Sequence, residues 1–204
     1  MDNQPQSLEA ISLFPQDNCQ SLLVMLHGWG ANSQDLAPLA QVLNIPGMGY
    51  LFPDAPFEHP QVPGGKAWYD LNTPGYQGLE QSREMLFEWL MALEEATKIP
   101  RSQTYIAGFS QGGAMTLDVA LMLPVAGLIS LSGYLHYEPQ PLKVSTPQIL
   151  MIHGTQDAVV PLAAAQQARD KLQGIGVGVR YQELPMGHEI SSDAIALLKE
   201  FISS

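Results

Sequence analysis

Short apolar runs alternate with longer stretches of helical periodicity along this chain. Residues 21–26, SLLVML, form an apolar run that ends at His27 and Gly28, which predicts a buried strand. GYLF at 49–52, closed by Pro53, predicts a second. Over 78–98, Leu79, Leu86, Leu90 and Leu93 recur at helical spacing, and Pro100 ends the pattern. TYIAGF (104–109) predicts the next strand, followed by a helix from about Gly112 to Leu123. GLISLSG (127–133) and QILMIHG (148–154) read as two further buried strands. A helix at about 162–173, a strand at 177–184 and a closing helix at 191–202 complete the pattern.

The predicted strands lack period-two alternation, so both of their faces are buried. With helices between them, that gives an α/β fold: a mainly parallel central sheet with helices on both faces. The early ISLF is expected at an antiparallel edge. No repeat, low-complexity tract or dividing linker interrupts the chain, so residues 1–204 are expected to form a single domain. The Pro- and Gly-rich segment 53–76 is the longest expected loop, of the kind that carries function. About fourteen residues separate Gly133 from Gln148, too few for a cap domain.

Composition narrows the choice of function. The formal net charge is −11 and Lys and Arg form no run, which argues against a nucleic-acid partner and against attachment to anionic lipid. Charged residues make up 14%, against about a quarter in typical domains, so part of the surface is expected to be apolar. No apolar stretch approaches the length of an integral membrane segment. One cysteine, Cys19, cannot form an intramolecular disulfide, and MDNQPQSLEAISLF has no secretory pattern, so the expected location is cytoplasmic. The sequence carries no signal for oligomeric state.

The stretch YIAGFSQGGAM (105–115) then becomes informative. Gly108-Phe109-Ser110-Gln111-Gly112 fits G-x-S-x-G, here at the end of a predicted strand and just before a predicted helix. A sharp turn there lifts the Ser110 hydroxyl clear of the sheet, and the glycines let strand and helix approach. A serine hydroxyl needs a base to act as a nucleophile. Of His27, His59, His136, His153 and His188, only His188, in PMGHEIS, lies between the last strand and the last helix. His27 and His153 stand at strand ends where structural hydrogen bonding is expected. Asp157 follows a buried strand in MIHGTQDAVVP, and the order Ser110, Asp157, His188 is that of an α/β-hydrolase. LHGWG (26–30) follows an early strand, so the backbone N–H groups of Trp29 and Gln111 are the expected oxyanion-hole donors. No H-x-x-x-H pair or cysteine cluster suggests a metal. Trp29, Phe57 and Trp68 are candidate substrate-binding aromatics, with core packing the alternative role for Trp68.

LHGWGANSQDL, AWYDL, GFSQGGAM, LSGY, HGTQDAVVP and GHEI occur in the order found in the phospholipase/carboxylesterase family of α/β-hydrolases, which the chain resembles from about Leu22 to Phe201. The resemblance implies a compact fold without a cap, a Ser110–Asp157–His188 triad and oxyanion donors at Trp29 and Gln111. It further implies esterase or thioesterase activity on a small-molecule acyl ester or thioester, with no cofactor. Some members carry leucine where Trp29 stands here, and a bulkier residue there narrows an acyl pocket. Segment 56–67 does not clearly reproduce the pattern of the thioesterase members, so the resemblance carries no claim of protein deacylation. Two other readings share these residues: a lactone or peptide hydrolase on the same fold, and a non-catalytic ligand-binding protein with a hydrolase fold.

Overall fold

The computed structural model of the chain describes residues 8–16, 18–140 and 146–204. Residues 1–7, part of the stretch read as lacking a signal, lie outside these, as do 141–145 of the connection read as too short for a cap. The elements run β1 (Ala10–Leu13), β2 (Ser21–Leu26), α1 (Ser33–Leu36), α2 (Leu39–Leu43), β3 (Met48–Pro53), β4 (Phe57–Glu58) and β5 (Lys66–Ala67). They continue α3 (Leu79–Thr97), β6 (Thr104–Phe109), α4 (Gln111–Val119), β7 (Gly127–Leu131), β8 (Ile149–Gly154), α5 (Leu162–Gly174), β9 (Val179–Leu184) and α6 (Ser192–Ile202).

The main sheet has the order β1-β3-β2-β6-β7-β8-β9. β1 pairs antiparallel with β3, and every other neighbour is parallel. Both faces are dry. On β2, Leu22, Val24 and Leu26 pack in one cluster with Leu86 and Leu90 of α3, Met115 of α4 and Leu172 of α5. Leu23 and Met25 point the other way, into a cluster with Leu36, Leu43 and the α6 residues Ala194, Leu198 and Ile202. This double burial is why the strand sequences are continuously apolar. Among the described residues there is no separate cap layer over the sheet.

Three features differ from the sequence expectation. The helix after Ser110 ends at Val119 rather than Leu123; Leu121 and Leu123 stay buried, but in a turn. The loop 53–76 contains a short hairpin, β4 with β5, sitting apart from the main sheet. Two short helices, α1 and α2, lead from the LHGWG turn to β3. Asn32 caps α1 in a reciprocal capping box with Asp35, and Asp54 accepts from the Ser33 N–H at 2.6 Å. Among the described residues no helix is long and apolar enough to cross a membrane.

His27 locks the end of β2 in place. It is fully buried, its Nδ1–H donates to the Gly28 carbonyl (2.8 Å), and its Nε2 accepts from the Ala55 N–H (3.0 Å). Burial is the main reason its pKa lies below the ordinary 6.5, and a proton on Nε2 would oppose the Ala55 N–H. Above about pH 6.5 the ring is neutral in folded and unfolded chains alike and adds no pH dependence. As pH falls below that value, the unfolded chain takes up a proton that the folded chain refuses, so stability falls until the pH passes the folded pKa. Urea denaturation midpoints are expected to be lower at pH 5.5 than at pH 7.5; a flat or rising profile would contradict this role.

Candidate active site

Strand β6 enters α4 through Ser110, whose backbone angles are φ 54° and ψ −117°. A side chain rarely tolerates this conformation, and the cost is met by packing on both sides of the turn. The Ser110 N–H donates to Leu131 O on β7 (2.8 Å), and its carbonyl accepts from the Ala114 N–H in α4 (3.0 Å). The flanking glycines are needed for space. A Cβ on Gly108 would lie 2.1 Å from the Gly112 carbonyl oxygen, and one on Gly112 would lie 2.2 Å from the Leu26 carbonyl oxygen. Both obstacles are backbone, so no side-chain rearrangement relieves them. The β2 loop also comes close: a Cβ on Gly28 would stand 3.3 Å from Ser110 Cβ. Among the described residues, the N–H groups of Trp29 and Gln111 meet no hydrogen-bond acceptor.

Asp157 and His188 lie beyond the ends of β8 and β9. The loops after these strands are tied together, since Thr155 N–H donates to Leu184 O (2.8 Å) and Gln156 N–H to Met186 O (3.1 Å). The Asp157 side chain is fully buried. One carboxylate oxygen accepts from the N–H groups of Val159 (2.9 Å) and Val160 (2.8 Å). The other accepts from His188 Nδ1 at 2.7 Å, with His153 Nε2 behind it at 3.4 Å. Burial pushes the Asp157 carboxyl up, but the hydrogen bonds from His188, Val160 and Val159 outweigh it and hold the group below the usual carboxylate range. The acid is therefore ionised at neutral pH and accepts the His188 Nδ1–H, which leaves Nε2 as the free ring nitrogen of the neutral imidazole. His153 plays the structural part expected of it, donating Nε2–H to Val160 O (2.9 Å).

Ser110, Trp29 and His188 line one cavity of about 500 Å³. Phe109 supports the imidazole, with ring centroids 4.8 Å apart. Leu71, Leu135, Val159 and Val160 make much of the remaining wall apolar, and Tyr76, which carries a hydroxyl, borders it as well. The hydroxyl-bearing Tyr134 lies in it too. Of these residues, Tyr134 stands in LSGY and Val159 and Val160 in HGTQDAVVP, but no periodicity or spacing marks them as wall residues.

Two of the candidate substrate-binding aromatics, Phe57 and Trp68, do not line this cavity, and Trp68 takes the core-packing role that was its alternative. Trp68 is fully buried and lines no part of this cavity. Its indole N–H donates to His27 O (3.0 Å), and its backbone N–H donates to the Gln111 side-chain oxygen (3.0 Å), whose amide in turn donates to Tyr69 O (2.8 Å). Trp68 thus fastens the ends of β2 and the start of α4 to the 67–69 segment. Phe57 borders a separate groove with Glu58, Pro60 and Gln81. It packs so closely on Gly78 that a Cβ there would come within 2.5 Å of its ring.

A parallel sheet with a strained serine between strand and helix, and an Asp–His pair at the next strand ends, defines an α/β-hydrolase. The sequence matches the phospholipase/carboxylesterase family over residues 10–204. The chain belongs to that family and is a hydrolase. It is 28% identical over 211 residues to mouse (Mus musculus) lysophospholipase-like protein 1, covering 92% of this chain and 88% of that one. It is 30% identical over 171 residues to acyl-protein thioesterase 1 homolog 1 of Dictyostelium discoideum, covering 76% of this chain and 75% of that one. The crystal structure of esterase PE8 is similar with a TM-score of 0.84 and 29% identity, covering 97% of each chain.

Proposed function

We propose that this protein is a serine hydrolase of acyl esters, with Ser110 as nucleophile, His188 as general base and acid, and Asp157 as orienting carboxylate. The observation that carries the reading is the 2.7 Å bond from His188 Nδ1 to a buried Asp157, with the imidazole and the strained Ser110 lining one cavity. Ser110 attacks the ester carbonyl while His188 Nε2 takes its proton; Asp157 fixes the tautomer and stabilises the imidazolium. The backbone N–H groups of Trp29 and Gln111 hold the oxyanion, a reading supported by their lack of other acceptors among the described residues. His188 then protonates the departing alcohol, and water repeats the sequence on the acyl-enzyme. The chain acts as one hydrolase domain, supported by a single main sheet that draws strands from Ala10 to Leu184.

The Trp29 side chain and the aliphatic wall suit an apolar acyl group, and a volume of about 500 Å³ is that of a small-molecule site. The names of the Dictyostelium and mouse relatives extend the candidate substrates to thioesters and lysophospholipids. The test is a panel of p-nitrophenyl esters of rising acyl length, matched thioesters, a lactone and a peptide amide. kcat/KM is expected to peak at a short or medium acyl ester, with thioesters cleaved and the amide untouched. Turnover of the lactone or the amide without the esters would contradict the assignment.

A further inference from the structure

The two backbone N–H groups read as oxyanion donors belong to separate parts of the fold, Trp29 to the turn after β2 and Gln111 to the start of α4. Both are tied to one short segment, residues 64–69, that lines no part of the cavity. Residues 28–31 form a type II turn: the Ala31 N–H donates to the Gly28 carbonyl (3.2 Å), and Gly30 stands third with φ 83°. The turn leaves the Trp29 N–H without an acceptor among the described residues and gives the next N–H, on Gly30, to the Lys66 carbonyl (2.9 Å). The Lys66 N–H returns a bond to the Ala31 carbonyl (2.8 Å), so β5 pairs with the turn as a strand pairs with its neighbour. Gly65 presses on the turn as well: a Cβ there would lie 2.4 Å from the Gly30 carbonyl oxygen.

A little further along, the same segment holds the second donor. Gln111 is fully buried; its side-chain oxygen accepts from the Trp68 N–H (3.0 Å) and its amide donates to the Tyr69 carbonyl (2.8 Å). A backbone N–H only donates and a backbone carbonyl only accepts, so the amide fits one way round and both directions are fixed. Between the Lys66 carbonyl and the Trp68 N–H lies only Ala67, which is fully buried on β5. A stretch of three residues thus runs from the neighbour of the first donor to the residue that carries the second. Both N–H groups must reach about 2.7–3.1 Å from a single developing oxyanion to stabilise it. A displacement of about 1 Å can cost a hundred-fold in rate.

We propose that residues 64–69 are a brace that fixes the spacing of the two oxyanion donors, with the Gln111 side chain and Gly65 as positioning residues. Gln111 then plays two separate parts. Its backbone N–H meets the oxyanion, and its side chain holds that N–H in register with the one on Trp29. The inference rests on the Ser110 hydrolase reading and on these two donors. It gives the β4–β5 hairpin a part in the chemistry without contact with substrate. The oxyanion forms only on the way to the tetrahedral intermediate, so a slackened brace lowers kcat far more than it alters KM.

The test compares Gln111→Met and Gly65→Ala with the wild type on p-nitrophenyl butyrate and on its thiono counterpart, in which sulfur replaces the carbonyl oxygen. Methionine keeps the length of Gln111 without either bond, and alanine at 65 forces the turn and the hairpin apart. Assays are run below the thermal midpoints, and the two variants disturb opposite ends of the brace, so either one that folds decides the matter. kcat on the oxygen ester is expected to fall by about a hundred-fold while KM stays within about three-fold of the wild type. Sulfur is larger and accepts weakly, so donors set for oxygen favour the oxygen ester; that preference is expected to shrink about ten-fold in each variant. A kcat within about three-fold of the wild type in either folded variant overturns the proposal. So does a lower kcat with the oxygen-to-sulfur preference unchanged, because a merely structural loss slows both esters alike. A wild type that turns over neither ester overturns the Ser110 reading instead, and one that cleaves both equally overturns the assignment of the donors.

Discussion

Replacing Ser110 with alanine is expected to lower ester turnover by about a million-fold, the loss typical when a serine nucleophile is removed from an intact site. The change takes away one hydroxyl and leaves the rest standing. Alanine meets the same steric cost at φ 54° as serine, and the backbone bonds to Leu131 and Ala114 remain. The thermal unfolding midpoint is therefore expected to stay close to that of the wild type. The residual rate over water comes from the oxyanion donors and from binding. Turnover within about ten-fold of the wild type, measured on purified variant with intact circular dichroism, would remove Ser110 from the mechanism.

The second large effect is expected at Asp157→Asn, about ten-thousand-fold in kcat. Three donors bond this carboxylate: Val159 and Val160 N–H on one oxygen and His188 Nδ1 on the other. An amide has only one acceptor atom. Keeping the two backbone bonds turns its NH₂ toward His188, which then accepts at Nδ1 and carries its hydrogen on Nε2. That tautomer cannot take the Ser110 proton. KM should move far less than kcat, since the cavity wall is unchanged. The carboxylate also contributes to folding: its depressed pKa gives stability that is present above the ordinary carboxyl value near 3.8 and is lost as pH falls through the folded pKa. A modest loss of stability at neutral pH is therefore expected with the amide. Near-normal kcat in the variant would show that another group orients His188.

The strands and long helices are legible because their burial is regular. Leu79, Leu86, Leu90 and Leu93 trace one helix face in the sequence and are the buried residues of α3 in the structure. The short elements are not legible: α1, α2, β4 and β5 hold too few residues for a period to emerge. The end of α4 misleads for a different reason, as Leu121 and Leu123 look helical but are buried in the turn that follows it. Ser110, Asp157 and His188 stand out because each follows a predicted strand, a position that topology alone brings to one rim of a parallel sheet.

Aromatic residues carry no such positional rule. Trp68 and Trp29 are both candidate substrate-binding aromatics in the sequence, yet one is sealed in the core and the other lines the cavity. What separates them is a partner far along the chain, the Gln111 side chain that grips the Trp68 backbone. The 64–69 brace is hidden for the same reason, since the LHGWG turn, β5 and α4 meet only in the folded protein.

The most direct measurement is reaction of the folded protein with a fluorophosphonate, followed by mass-spectrometric mapping of the adduct. A single adduct on the Ser110 hydroxyl is expected, formed in the wild type, absent from Ser110→Ala and much slower to form in Asp157→Asn. Labelling at a different residue, or none at all on protein that turns over esters, would contradict it.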